Sequence, residues 1–184
     1  MGLFTDSLES SKSVLEDPRS EQQQRLRGTA LALTGMVYSE LDRVDEAVAN
    51  LETDIEIRRN RQDLSGRLTA QNVLAKIYLS AERFDKAEQL IETTLSEALK
   101  EQQPGSEIEA RWYKAELALT RQGAVPSLPL FQEALNRVRM VANESLERKV
   151  IVTYAGALLD TGDINAAEGL LGLWRVTCQT ARLS

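Results

Sequence analysis

The chain has 184 residues, a net charge of −6 and 42% apolar residues, and aromatic residues make up only 5%. The negative charge argues against nucleic acids and anionic membrane surfaces as partners, because binding to either depends on neutralising negative charge. No stretch approaches 18 consecutive apolar residues and no secretory signal opens the chain. The sequence therefore predicts a cytoplasmic protein that does not span a membrane.

Amphipathic stretches follow one another along the chain, and none shows the period-2 alternation of strands. The first covers residues 3–16, and eight further helices follow in four pairs, so the prediction is an all-α chain of about nine helices. Leu26, Leu33 and Leu99 are expected on the core side of their helices. Asp45 is expected to cap the second helix of its pair. The eight predicted ranges are 20–40, 45–60, 64–80, 84–100, 106–121, 127–142, 145–161 and 164–178.

Small residues recur at one position of this helical pattern, with a constant step of 40 residues. They are Ala47, Ala87, Ser127 and Ala167. A fixed period in this range is typical of helical repeat arrays, in which each helix pair packs on the next. The period gives a partial repeat at 1–27, then repeats at 28–67, 68–107, 108–147 and 148–184. We interpret residues 1–184 as a single repeat domain that forms part of a larger array or protein.

The repeat resembles the tetratricopeptide repeat (TPR) in its long-helix form, as in kinesin light chains and MalT-type regulators. That family has small residues at the eighth and twentieth positions and bulky residues at the eleventh and twenty-fourth. In the first full repeat these are Gly35, Ala47, Tyr38 and Leu51. The twenty-seventh position departs from the pattern, because Asp54 and Thr94 stand where the family has a small residue. The resemblance implies a right-handed α-solenoid of antiparallel helix pairs.

No catalytic or metal-binding set is recognisable in the sequence. The chain has no histidine, which removes the commonest general base and metal ligand. Its one cysteine, Cys178, lies in a Leu- and Trp-rich helix and is expected to be a buried structural thiol. A glycine-rich phosphate loop is also missing. We therefore predict a protein that is not an enzyme and that holds no cofactor and no metal.

The resemblance also implies a binding surface, because the first helix of each TPR pair lines the inner face of the solenoid. The candidate groove residues are Asn72, Lys76, Trp112, Tyr113 and Glu116. Trp112 allows two interpretations, an exposed binding anchor or a core residue between repeats. Lys76 and Glu116 occupy the same repeat position and could form an ion pair instead.

The favoured function is a non-enzymatic scaffold that holds a protein or peptide partner in this groove. The alternative is a ligand- or peptide-responsive sensor domain of a larger, MalT-like signalling or transcription regulator. The last helix carries an unusually broad apolar surface, formed by Leu170, Leu171, Leu173 and Trp174. These side chains cannot all face one preceding helix pair. The sequence therefore predicts a homo-oligomer or a neighbouring domain that contacts this helix.

Overall fold

The computed structural model describes the backbone of residues 21–180 and the side chains of residues 26–172. Eight α-helices and no strand occupy this part of the chain, so the all-α prediction is confirmed. The helices are α1 (Glu21–Glu40), α2 (Val44–Asn60), α3 (Leu64–Ser80), α4 (Phe84–Lys100), α5 (Pro104–Gln122), α6 (Ala124–Met140), α7 (Glu144–Asp160) and α8 (Ile164–Thr180). The helix predicted at 3–16 lies outside the described residues.

Except before α6, the joints between helices are three-residue turns with one geometry. From α2 onward a helix begins every 20 residues, at 44, 64, 84, 104, 124, 144 and 164. After α1, the Asp42 N–H donates to the Ser39 carbonyl at 3.1 Å. The Arg43 N–H donates to the Tyr38 carbonyl at 2.8 Å. This is the Schellman arrangement, which supplies donors to the open carbonyls at a helix end, and Arg43 is also the N-cap of α2.

The middle residue of these joints has a left-handed backbone. Glycine fills this position only at Gly162, where φ is 84°. The other five residues have φ between 53° and 58°, and they are Asp42, Gln62, Glu82, Gln102 and Ala142. A left-handed conformation costs a residue with a Cβ atom about 1–2 kcal/mol. The chain therefore reproduces one tight turn at several joints without the glycine that usually makes it.

The side-chain caps are not all at the predicted positions. Asp45 was predicted to cap α2, but it lies in the first turn of that helix, and its carboxylate accepts from Arg83 at 2.6 Å. Helix α2 starts one residue earlier than expected, which moves the cap to Arg43. Carboxylate or amide oxygens cap three other helices, each accepting from a backbone N–H three residues on at 3.0–3.1 Å: Asp63, Asn143 and Asp163.

Helix α6 contains two prolines, Pro126 and Pro129. The sequence predicted a linker up to Pro126, whereas α6 begins at Ala124. Pro126 falls in the first turn, where a missing N–H removes no helical hydrogen bond. Pro129 lies farther in and cannot donate to the carbonyl of Val125. The linker between α5 and α6 is consequently Gly123 alone, with φ at 90°.

The described helices fall into two compact units, divided between Ala98 and Leu99 near the end of α4. In the first unit α1 packs on α2 and α2 packs on α3. In the second, α5, α6, α7 and α8 pack in sequence. The small residues of the 40-residue period are all buried, as a close helix crossing requires. At Gly35, an added Cβ would lie 3.2 Å from the Ala47 carbonyl oxygen, so α1 and α2 are in close contact there.

Three leucines predicted in the core are instead exposed. Leu26 and Leu33 on α1 are 53% and 52% exposed, and Leu99 is similarly open. The buried face of α1 is carried by Leu31 and Thr34. Thr34 follows Leu33 directly but points about 100° away around the helix. Among the described helices, none combines the length and apolar content needed to cross a membrane.

Candidate functional site

The two candidate residues of the first unit differ in access to solvent. Both lie on α3, where Lys76 is exposed and Asn72 is buried. Asn72 is also surrounded on its helix by the buried Gln71 and Ala75. A partner that does not open the fold can therefore reach Lys76 but cannot reach Asn72.

The aromatic candidates of the second unit are packed inside it. Trp112 is 8% exposed and stacks on Tyr113, with ring centroids 4.9 Å apart. Its indole Nε1 donates to the Thr153 hydroxyl on α7 at 3.2 Å. Burial raises the pKa of Tyr113, and the negative charges of Glu109 and Glu116 raise it further. Of the two interpretations of Trp112, the geometry supports the core residue, which joins α5 to α7.

Glu116 lies at the edge of this aromatic cluster and is partly exposed. The Thr153 hydroxyl that accepts from Trp112 lies 3.5 Å from the Glu116 carboxylate. Of the five candidate residues, only Lys76 and Glu116 therefore reach solvent. The proposed contribution of these two to binding stays a prediction.

Helix α7 presents an exposed face that the candidate set missed. We define the α7 strip as Lys149, Val152, Gly156 and Leu159, all of them exposed. Val152 is 60% exposed, and a Cβ added at Gly156 would meet no atom within 4 Å. Residues three and four apart share a helix face, so these four form one continuous surface. The repeat period could have identified this face from the sequence, because Gly156 occupies the same repeat position as the candidates Lys76 and Glu116.

Helix α1 has a comparable exposed face in the first unit. We define the α1 strip as Leu26, Thr29, Leu33 and Met36, which recur at steps of three and four. Three of the four side chains are apolar, and each of those is about half exposed. The two strips are the apolar surfaces most open to a partner on the first helices of the pairs.

The buried acidic residues form ion pairs rather than a reactive centre. Asp54 is buried beside Arg58, and Glu107 is buried between Arg111 and Arg137. In the part of the chain that the structure describes, no group of three or more His, Cys, Asp or Glu side chains could hold a metal ion. Cys178 lies outside the described side chains.

Comparison with known proteins identifies the fold. No protein-family model and no curated protein sequence matches the chain. Two crystal structures of a Podosopora anserina kinesin light chain with nearly identical TPR-like repeats match all of it and 90% of their own length. They are 17% and 19% identical, with TM-scores of 0.67 and 0.65. The chain has a TPR-like fold.

A third structural neighbour is BtubC (BKLC) from P. vanneervenii, at 14% identity and a TM-score of 0.67. The match covers 98% of this chain and 72% of that one. The resemblance to TPR repeats that the 40-residue period indicated is thus confirmed for the fold. Identities this low show the fold alone, and the resemblance to MalT-type regulators stays a prediction. In the TPR-like frame, the α1 and α7 strips both lie on the first helix of a pair.

Proposed function

We propose that this chain is a non-enzymatic scaffold that binds a protein or peptide partner along the exposed faces of its first helices. The α7 strip carries the proposal. Val152 and Leu159 supply an open apolar centre, and Arg148 and Lys149 supply a polar rim beside it. An apolar centre with a polar rim is the usual composition of a protein interface.

Gly156 explains how a partner could approach this surface closely. It lies between the two apolar side chains and has no Cβ atom to hold a neighbouring backbone away. Within a helix, glycine is about 1 kcal/mol less favourable than alanine, and the open space around Gly156 shows no packing reason inside the chain for it. A partner backbone that lies against α7 would supply such a reason.

The test is a steric block that leaves the fold intact. Peptides that bind the wild-type chain would be selected from a displayed library, and their affinities measured by fluorescence anisotropy. Gly156→Leu fills open space and replaces a poor helix former, so we expect an unchanged or higher melting temperature. We also expect at least about a tenfold loss of affinity, or about 1.4 kcal/mol.

The matched control is Gly169→Leu on α8, where an added Cβ also meets nothing within 4 Å. This variant should bind like the wild type. The proposal fails if Gly156→Leu binds the selected peptides unchanged, or if both variants lose affinity equally.

In this proposal Lys76 is a polar contact of the first unit and Glu116 is one of the second. Each holds the repeat position that Gly156 holds on α7. We also propose that the last helix, α8, contacts a neighbouring domain or a second copy of this chain, since Leu171 is exposed there. Leu173 and Trp174 lie outside the described side chains. One measurement distinguishes the alternative function, a ligand-responsive sensor domain, from the scaffold. A small effector that binds the folded sensor would raise the melting temperature of the chain.

A further inference from the structure

Two ion pairs occupy the same repeat position with opposite polarity. In the first unit, Arg67 donates through both guanidinium Nη atoms to Glu97, one of the bonds measuring 2.9 Å. In the second unit, Arg137 donates to Glu107 with three N–O distances of 2.9–3.0 Å. Glu107 follows Arg67 by 107 − 67 = 40 residues, and Arg137 follows Glu97 by 137 − 97 = 40 residues. The pairing is kept from one repeat to the next, while the charges are exchanged.

Each ion pair joins the two helices of one pair. Arg67 on α3 reaches Glu97 on α4, and Glu107 on α5 reaches Arg137 on α6. All four side chains are at least partly shielded from water, most strongly Glu107. Electrostatic interactions at such positions are screened less than those between fully exposed charges.

Buried apolar residues occupy matching positions in the two repeats. Leu68 and Ile108 begin the two repeats and are both fully buried. Ile91 and Phe131 share a position on the second helices and are also buried. Misassembly between similar units is a characteristic failure of repeat proteins. In this chain it would dock a first helix on the second helix of the wrong repeat.

We propose that the reversed ion pairs form a register lock, which disfavours docking of a helix on its counterpart one repeat away. In such a slipped state, Arg67 would face Arg137 and Glu97 would face Glu107. Both contacts join like charges in a partly buried position, whereas both native contacts join opposite charges. Specificity of this kind comes from penalising the wrong partner as well as from rewarding the right one.

The test exchanges the charges of one pair and leaves everything else in place. The double variant Arg67→Glu/Glu97→Arg keeps the net charge and keeps an acid–base pair in the first unit. It gives both repeats the same polarity, so the slipped contacts become attractive. We expect a melting temperature close to that of the wild type. On dilution from denaturant, we expect a several-fold smaller fraction of chains to regain the cooperative thermal transition.

The matched control is Arg67→Lys/Glu97→Asp, which weakens the pair but keeps its polarity. This control should refold with the wild-type yield. Equal refolding of the exchanged variant and the wild type would overturn the register lock. An equal loss in the exchanged variant and the control would also overturn it, because the pair would then act through its own strength alone.

A second comparison covers the case in which the exchanged variant does not fold. Glu97→Gln/Arg137→Gln breaks both native pairs and removes both like-charge contacts of the slipped state. Arg67→Gln/Arg137→Gln also breaks both native pairs, but it leaves Glu97 opposite Glu107 in that state. We expect the second variant to refold with the higher yield. Equal yields, or the reverse order, would contradict the register lock.

Discussion

Asp54 in the first unit and Glu107 in the second are both buried carboxylates with arginine partners, at 0% and 3% exposure. Burial raises the pKa of Asp54, and the hydrogen bond and charge of Arg58 only partly oppose this. Burial also acts to raise the pKa of Glu107, but hydrogen bonds from Arg137 and Arg111 outweigh it and lower that pKa. Two carboxylates with similar burial thus respond in opposite ways.

The number of hydrogen bonds explains the difference. One oxygen of Asp54, Oδ1, accepts from Arg58 at 2.8 Å, and the other, Oδ2, has no hydrogen-bond partner. Glu107 accepts from Arg137 through both oxygens and from Arg111 at 2.9 Å. A buried charge is costly unless it is paired and its lone pairs are satisfied.

The sign of each pKa shift decides how each carboxylate contributes to stability. Because the folded pKa of Glu107 is lowered, its contribution is present above the unfolded pKa and is lost as pH falls through the folded pKa. Because the folded pKa of Asp54 is raised, its contribution is full below the unfolded pKa and is lost as pH rises through the folded pKa. Ionisation of Glu107 therefore stabilises the fold, whereas ionisation of Asp54 destabilises it.

The largest expected effect is that of Glu107→Gln. The neutral amide cannot balance Arg137 and Arg111, so we expect a loss of about 3 kcal/mol in the free energy of unfolding, measured by urea denaturation at neutral pH. The control is Glu133→Gln, which removes a more exposed partner of Arg111 and should cost less than about 1 kcal/mol. A similar loss in the free energy of unfolding for the two variants would show that the buried Glu107 contributes no more to stability than the exposed Glu133.

Gly28→Ala tests how tightly Asp54 is enclosed. An added Cβ at Gly28 would lie 2.5 Å from Asp54 Oδ1, which is too close for any real contact. We expect a loss of about 1–3 kcal/mol in thermal or urea unfolding, although alanine is the better helix former. Gly105→Ala, whose Cβ meets nothing within 4 Å, should be neutral or slightly stabilising. The enclosure is disproved if both substitutions stabilise the chain.

Asp54→Asn should have a smaller effect, within about 1 kcal/mol of the wild type at neutral pH. The amide avoids the cost of burying a charge, and its oxygen can still accept from Arg58. Arg58 also keeps its ion pair with Asp63, at 3.2 Å. Urea denaturation of this variant beside Glu107→Gln gives the comparison directly. A loss of stability as large as that of Glu107→Gln would show that one arginine partner is enough to offset the cost of burying the Asp54 charge.

The smallest expected effect is a change with pH in the stability difference between the wild type and each carboxylate variant, Glu107→Gln and Asp54→Asn. As pH falls from about 7 to 3, the advantage of the wild type over Glu107→Gln should shrink. Over the same range, the stability of the wild type should improve relative to Asp54→Asn. Urea denaturation curves at several pH values measure both. Parallel trends for the two variants would contradict the opposite pKa shifts.

The sequence predicted the helices and their period well, because both follow from local patterns. Helices α3 and α4 begin and end at the predicted residues. The orientation of each helix was less predictable, as Leu33 and Thr34 show. Which of the two is buried depends on the helices packed against α1, and the apolar pattern of α1 alone favoured the leucine.

The candidate site was predictable only in part for a related reason. The repeat position placed Lys76 on an exposed face, but the same logic also selected Asn72 and Trp112, which are buried. Trp112 is held by Thr153, 41 residues away in the sequence, and no local pattern shows that contact. The exposed Gly156 was overlooked because a glycine within a helix has no side chain to suggest a role.

The regular joints have a consequence for how such a gene can change. Since helices from α2 onward start at intervals of 20 residues, an in-frame duplication of forty codons adds one complete helix pair. Such a duplication creates one new junction, and the residues on either side of it hold consecutive positions of the 40-residue repeat wherever the duplicated segment begins. A duplication of twenty codons would instead add a single helix and shift every later first helix into the place of a second one. Length variants of this gene should therefore differ by multiples of forty codons.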